Sequence, residues 1–251
     1  MAPISQALLH KLKNFVTTGL LLAFFVYLVF GAIIFHALES PTEEKMRAEF
    51  WEFKRNLSKK WQNSSQCFNS DESTPVVVLT QEDSRKRWGM DGALGFSGAL
   101  LTTIGYGHFS PVTNAGKAFC VAYATLGIPL TALTVSAIAE RMRNFSRFLA
   151  KKISEKRPQW NRKTVERSCI AGRVVVGLVV FFVIPTWIVQ VAEDWTYGDS
   201  FYFVFISLST VGFGDFVAGE RIDREYPVNV VFYRVFILLW TGFGMAFLGM
   251  V

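Results

Sequence analysis

Thr103-Ile104-Gly105-Tyr106-Gly107-His108 and, 107 residues later, Thr210-Val211-Gly212-Phe213-Gly214-Asp215 are two copies of one string. Each runs Thr-aliphatic-Gly-aromatic-Gly, and each closes a short apolar stretch, residues 93–101 and 201–208. Glycine has no Cβ and enters the φ > 0 region freely, so a Gly-x-Gly backbone can turn successive carbonyls toward one axis. Carbonyl oxygens arranged in that way replace the water around a dehydrated cation, so the string reads as an ion filter. One loop supplies only part of a ring. A chain with two loops must pair with a second chain to surround a fourfold axis.

Working outward, both strings lie between long apolar blocks. Hydrophobic residues make up 51% of the 251 and aromatics 15%, and residues 15–38 contain no Lys, Arg, Asp or Glu. A stretch of that length crosses about 30 Å of hydrocarbon. The blocks predict spans at 15–38, 115–140, 170–192 and 228–251, the last taking in Arg234. The stretches before the strings are too short to cross. They read as re-entrant pore helices, with pore loops at 91–108 and 198–215, tolerated where protein or a water-filled cavity satisfies the backbone. The expected fold is an all-α membrane protein with four transmembrane helices, two pore helices with filters, and an extracellular helical cap over 39–88. Phe96 and Phe203 share the 107-residue offset, as expected of a tandem duplication.

Charge sets the orientation. Residues 141–167 carry ten Lys or Arg against Glu155 and Glu166, whereas 193–227 carry seven acids against Arg221 and Arg224. The positive-inside rule places the basic link, 141–168, in the cytoplasm, with the N-terminal 1–14 and the C-terminus on the same side. The net charge of +6 is then a topology signal and implies no nucleic-acid partner. The first block is too long for a signal-peptide core and lacks a small-residue cleavage site. The basic link could touch anionic membrane lipid, although positive-inside bias alone accounts for it. Arg173 is expected to snorkel. No span shows the regular arginine spacing of a voltage sensor.

The insert before the first string carries its own signals. Ser40-Pro41-Thr42-Glu43 has the form of a capping box. Met46, Phe50, Phe53 and Leu57 then mark an amphipathic helix to about Trp61. A turn-rich break over 63–75 and a second element over 76–87 follow. Cys67 lies in that break, outside the cell on this topology, where disulfides persist. It predicts a Cys67–Cys67 bridge between two copies, with a free thiol as the alternative. Cys120 and Cys169, in or beside spans, are expected only to pack. Asn63, in the break, and Asn56, on the helix, match the N-glycosylation triplet, a weakly specific pattern.

Together the strings Thr103–His108 and Thr210–Asp215, Gly127-Ile128-Pro129 in the second span, and Cys67 in a long external loop resemble the two-pore-domain potassium channels. Gly214-Asp215-Phe216-Val217-Ala218-Gly219 and Tyr233-Arg234-Val235-Phe236 look most like that family's alkaline-activated branch. The resemblance implies a plasma-membrane dimer, of two identical chains or with a related channel chain, passing background potassium current. K+ ions would sit on Thr103 to Gly107 and Thr210 to Gly214, with no organic cofactor. His108 and Asp215 would stand at the outer mouth. Family members continue into a cytosolic tail; this sequence stops at Val251, leaving open whether one follows.

Two residues carry an expected response to external pH. Imidazoles titrate near pH 6.5, so His108 would gain charge beside the mouth on acidification. In the alkaline-activated branch a basic residue at the position of Arg234 is a proton sensor, which for arginine demands strong desolvation. Snorkelling to the outer interface is the alternative. Pro129 and Pro185 are expected to kink their spans. Gly242, Gly244 and Gly249 could permit bending or close packing. Competing functions are a silent or regulatory subunit needing a partner chain, and a four-span enzyme or transporter. The spans hold no acid–base cluster for catalysis, His36 being alone.

Overall fold

Helix α1, Gln6–Ser65, runs without interruption from the first apolar block into the insert. The computed structural model describes residues 6–65, 86–156, 161–220 and 229–250. The expected capping box does not start a new helix, because Pro41 lies inside α1. Extending an existing helix needs no new nucleus, so one lost bond at a proline does not stop it. Glu43 of the would-be box instead accepts the amides of Arg87 and Trp88 at 2.7 and 2.8 Å, fastening the end of the insert to α1. Beside it Lys86 bonds Glu44 at 2.5 Å and holds that carboxyl below the usual carboxylate range. The helix also continues past Trp61 to Ser65, so Asn63, expected in the break, is on α1. Cys67 and most of the second insert element lie outside the described residues.

The remaining elements are α2 (Met90–Leu101), α3 (Asn114–Lys156), α4 (Arg162–Leu178), a π-helical turn (Val179–Val183), α5 (Ile184–Glu193), α6 (Tyr197–Leu208) and α7 (Val230–Leu248). No strand occurs among the described residues. Four helical runs are long and apolar enough to cross a membrane: Lys13–Lys60, Asn114–Glu155, Thr164–Glu193 and Val230–Leu248. The short helices α2 and α6 pack between them. The basic link is mostly helix, since α3 runs to Lys156 and α4 starts at Arg162.

Between helices in lipid the contacts must come from close packing and hydrogen bonds, as lipid is already apolar. α1 meets α3 through Tyr27 and Tyr123, whose rings stack at 4.6 Å. Each hydroxyl donates to the other's backbone carbonyl, at 2.8 and 3.1 Å. Gly31 leaves the room, since a Cβ there would fall 2.2 Å from the Tyr123 ring. Phe96 and Phe203 each join the aromatic cluster of their own half: Phe96 meets Phe35 at 4.9 Å, and Phe203 meets Trp195 at 5.6 Å.

Pro185 shapes the third span. The π turn immediately precedes it, supplying the extra residue that lets the ring fit. Its missing N–H cannot serve the carbonyl of Phe181, four residues back. Trp240 of α7 donates its indole Nε1–H to that carbonyl at 3.0 Å. Of the α7 glycines, Gly244 serves packing, with Leu208 where its Cβ would be, whereas Gly242 faces open space.

Candidate functional site

The two strings emerge from the C-termini of α2 and α6, whose bounds differ by the same 107 residues. The hydrogen bonds repeat as well. Thr103 N bonds Leu100 O at 3.1 Å and Thr210 N bonds Ser207 O at 3.2 Å. Gly105 N reaches Ala99 O, and Gly212 N reaches Ile206 O, both at 3.1 Å. Helix C-termini carry partial negative charge, so both pore helices favour a cation beyond their ends.

Backbone handedness alternates along each string. Thr103, Gly105 and Gly107 have φ of 58°, 55° and 73°, and Thr210, Gly212 and Gly214 have 59°, 52° and 82°. Ile104, Tyr106, Val211 and Phe213, between them, keep negative φ. A strand sends consecutive carbonyls to opposite sides; alternating handedness sends them to the same side, as a carbonyl-lined path requires. Positive φ at a β-branched threonine costs about 1–3 kcal/mol, and such strain collects at functional sites.

The loops lie against each other. A Cβ on Gly212 would fall 2.2 Å from the Ile104 carbonyl oxygen, and one on Gly214 would fall 1.9 Å from that of Tyr106. Tyr106 reaches behind the second loop, where its hydroxyl and that of Ser207 on α6 hydrogen-bond at 2.8 Å. The corresponding surfaces at the other side of the pair are bare. Ile104 is 5% exposed, whereas Val211 and Phe213 are 46% and 68% exposed. A Cβ on Gly105 would meet nothing within 4 Å.

Beyond the strings, His108, Asp215, Glu220 and Arg234 line an outer pocket of about 360 Å³ with Lys86 and Arg87. Both His108 ring nitrogens are buried without a hydrogen-bond partner, and Nε2 lies 3.9 Å from a Glu220 oxygen. Arg234 does not snorkel. Its side chain is 7% exposed and donates to Asp91 at 2.8 Å, to Glu220 at 2.9 Å and to the Gly219 carbonyl at 2.7 Å. It thereby ties the start of α2 to the segment after the second string. Gly219, at φ 83°, allows that approach, its hypothetical Cβ lying 3.0 Å from the Arg234 side chain.

Two carboxylates that the sequence reading passed over support the strings from outside. Glu39, fully buried, accepts Val112 N at 3.0 Å, Thr113 N at 3.2 Å and the Thr113 hydroxyl at 2.6 Å. Glu193, also fully buried, accepts Gly219 N at 2.7 Å. Val112 and Gly219 are again 107 apart, so each half holds the segment after its string with its own glutamate. The signal was present: Glu39 and Glu193 are the first charged residues after the first and third apolar blocks.

The ion channel family profile matches residues 70–144 and 170–251. Potassium channel subfamily K member 5 of Homo sapiens is 33% identical over 240 residues, covering 91% of this chain and 46% of its own length. Potassium channel subfamily K member 1 is 33% identical in Bos taurus and 34% in Cavia porcellus, each covering 88% of this chain and 69% of its own length. The chain thus spans about half the length of the first relative and just over two thirds of the others. Two differently numbered members match at 33%, so identity does not select a branch. Relatives of this extent are channels and not enzymes, and with four candidate spans and a duplicated glycine string the chain belongs to the two-pore-domain potassium channel family.

Proposed function

We propose that two copies of this chain form a potassium-selective background channel of the plasma membrane, with four filter loops around one axis and both termini in the cytoplasm. The observation that carries this is the unequal covering of the two loops. Ile104 and Tyr106 are packed by the second half of their own chain, while Val211 and Phe213 stand open. A second copy, turned by half a revolution, would place its first half against them and complete the ring. Its Val211 carbonyl would then occupy the free space at Gly105, as the Ile104 carbonyl does at Gly212.

The insert supports the same pairing. Met46, Phe50, Phe53 and Leu57 are all exposed on α1 at heptad spacing, the seam that a partner helix covers in a coiled coil. Cys67, further along, would join the two copies covalently. Asn56 is exposed and Asn63 lies on the same helix, so either could carry glycan.

The outer pocket supports gating at the filter and a response to external pH. Protonation of His108 would add positive charge at the mouth and draw Glu220 away from Arg234. Acidification should therefore reduce current. Arg234, balanced by Asp91 and Glu220, is assigned the role of a tie and not that of a proton sensor.

Expression in a cell of low background current tests the proposal. A reversal potential that follows external potassium supports it. Current only with a second channel chain makes the protein a regulatory subunit, and no current in either case refutes the channel reading.

A further inference from the structure

A cavity of about 930 Å³ lies between the C-terminal half of α3 and α4 with the π-helical turn, closed by Phe247 of α7 and by Met250 just beyond it. Its walls are almost wholly apolar, including Met142, Phe145, Leu149, Val176 and Phe247. A second cavity of about 780 Å³ adjoins it, with Arg143, Arg147 and Lys151 on its walls together with Glu155 and Glu166. Ser146, Val165, Cys169 and Arg173 line both, so the two form one trough, greasy at one end and basic at the other. Arg141, at the rim, already donates to the Asn14 carbonyl at 2.8 Å. Arg173 differs: its Nε is buried and bonded to no acceptor. A buried donor of that kind in a cationic side chain calls for an anion.

We propose that this trough binds an anionic phospholipid of the cytoplasmic leaflet, with an acyl chain in the apolar cavity and the phosphate on Arg173, Arg143 and Arg147. The placement rests on the orientation proposed above. Charge complementarity selects the occupant, since the trough offers an uncompensated guanidinium beside apolar walls and the cytoplasmic leaflet is rich in anionic headgroups. A polypeptide would have to bring a carboxylate and also satisfy its own backbone at membrane depth. A lipid meets only the first demand.

Native mass spectrometry of the full chain, purified and titrated with phosphatidylglycerol or phosphatidylcholine, tests this. Wild-type protein should retain phosphatidylglycerol preferentially, and added inorganic phosphate should not displace it. Arg173→Gln should weaken retention about five- to tenfold, the loss of one well-placed charge, while Arg173→Lys keeps most of it. Gly172→Leu fills the trough from a position whose Cβ meets nothing within 4 Å, and should also abolish the preference. Cys169, in the wall, should be protected from maleimide by phosphatidylglycerol alone. Equal retention of both lipids by wild type, or retention indifferent to Arg173→Gln and Gly172→Leu, overturns the site. Oxidative crosslinking of Cys169 between copies would place a second chain in the trough and overturn it equally. Retention is read without ionic current, so failure here leaves the channel proposal standing.

Discussion

Replacing Glu39 by alanine should loosen the first filter from outside without touching it. The substitution removes the acceptor of the Val112 and Thr113 amides and of the Thr113 hydroxyl. The hydroxyl can turn to another partner, so the two amides set the cost. An unpaired buried donor costs about 1–3 kcal/mol, and water can enter this half-exposed segment, which favours the lower end. About 2 kcal/mol in total corresponds to roughly a 30-fold shift toward the released segment. Glu39→Gln keeps one oxygen acceptor and loses only the charge-assisted part, so its shift should be smaller. The assay is the reversal potential in mixed potassium and sodium, with the time course of current in low external potassium. Glu39→Ala should move the reversal potential toward zero and hasten the decay, and Glu193→Ala should do the same from the other half. Wild-type selectivity and kinetics in Glu39→Ala, at equal surface expression, would refute the reasoning.

Gly212→Ala should abolish current while protein still reaches the surface, because its Cβ would lie 2.2 Å from the Ile104 carbonyl oxygen; normal current would remove the candidate filter. Gly31→Val should cost about 1–3 kcal/mol by overpacking against the Tyr123 ring, read as a lower melting temperature of the purified protein. His108→Asn should flatten the fall of current on external acidification, while an unchanged profile would leave His108 without a role in it.

The spans and the duplicated strings could be read from sequence because their signals are compositional or local. A block of 24 uncharged residues or a Gly-x-Gly pair needs no partner to be recognised. The capping box misled because its residues have two possible uses, and continuity of α1 decided between them. Helical continuation of the basic link was missed for the opposite reason, since charged residues suit an exposed helix as well as a loop. Arg234 illustrates the limit. Its partner Asp91 is 143 residues away, and only packing of α2 against α7 makes a membrane-edge arginine into a buried tie.

The bond between Tyr106 and Ser207 has a consequence for how such a pore wears and changes. In the proposed dimer the matching contact falls between subunits, where Phe213 would meet Leu100, and neither side chain can form that bond. Seams therefore alternate around the ring, one stitched within a chain and the next merely pressed together between chains. Strain on the ring would open the pressed seams first, at two opposite points. Any inherited change would likewise reach two opposite walls and spare the other two. A duplicated chain can thus revise one diameter of its pore while the other keeps the ion path in register.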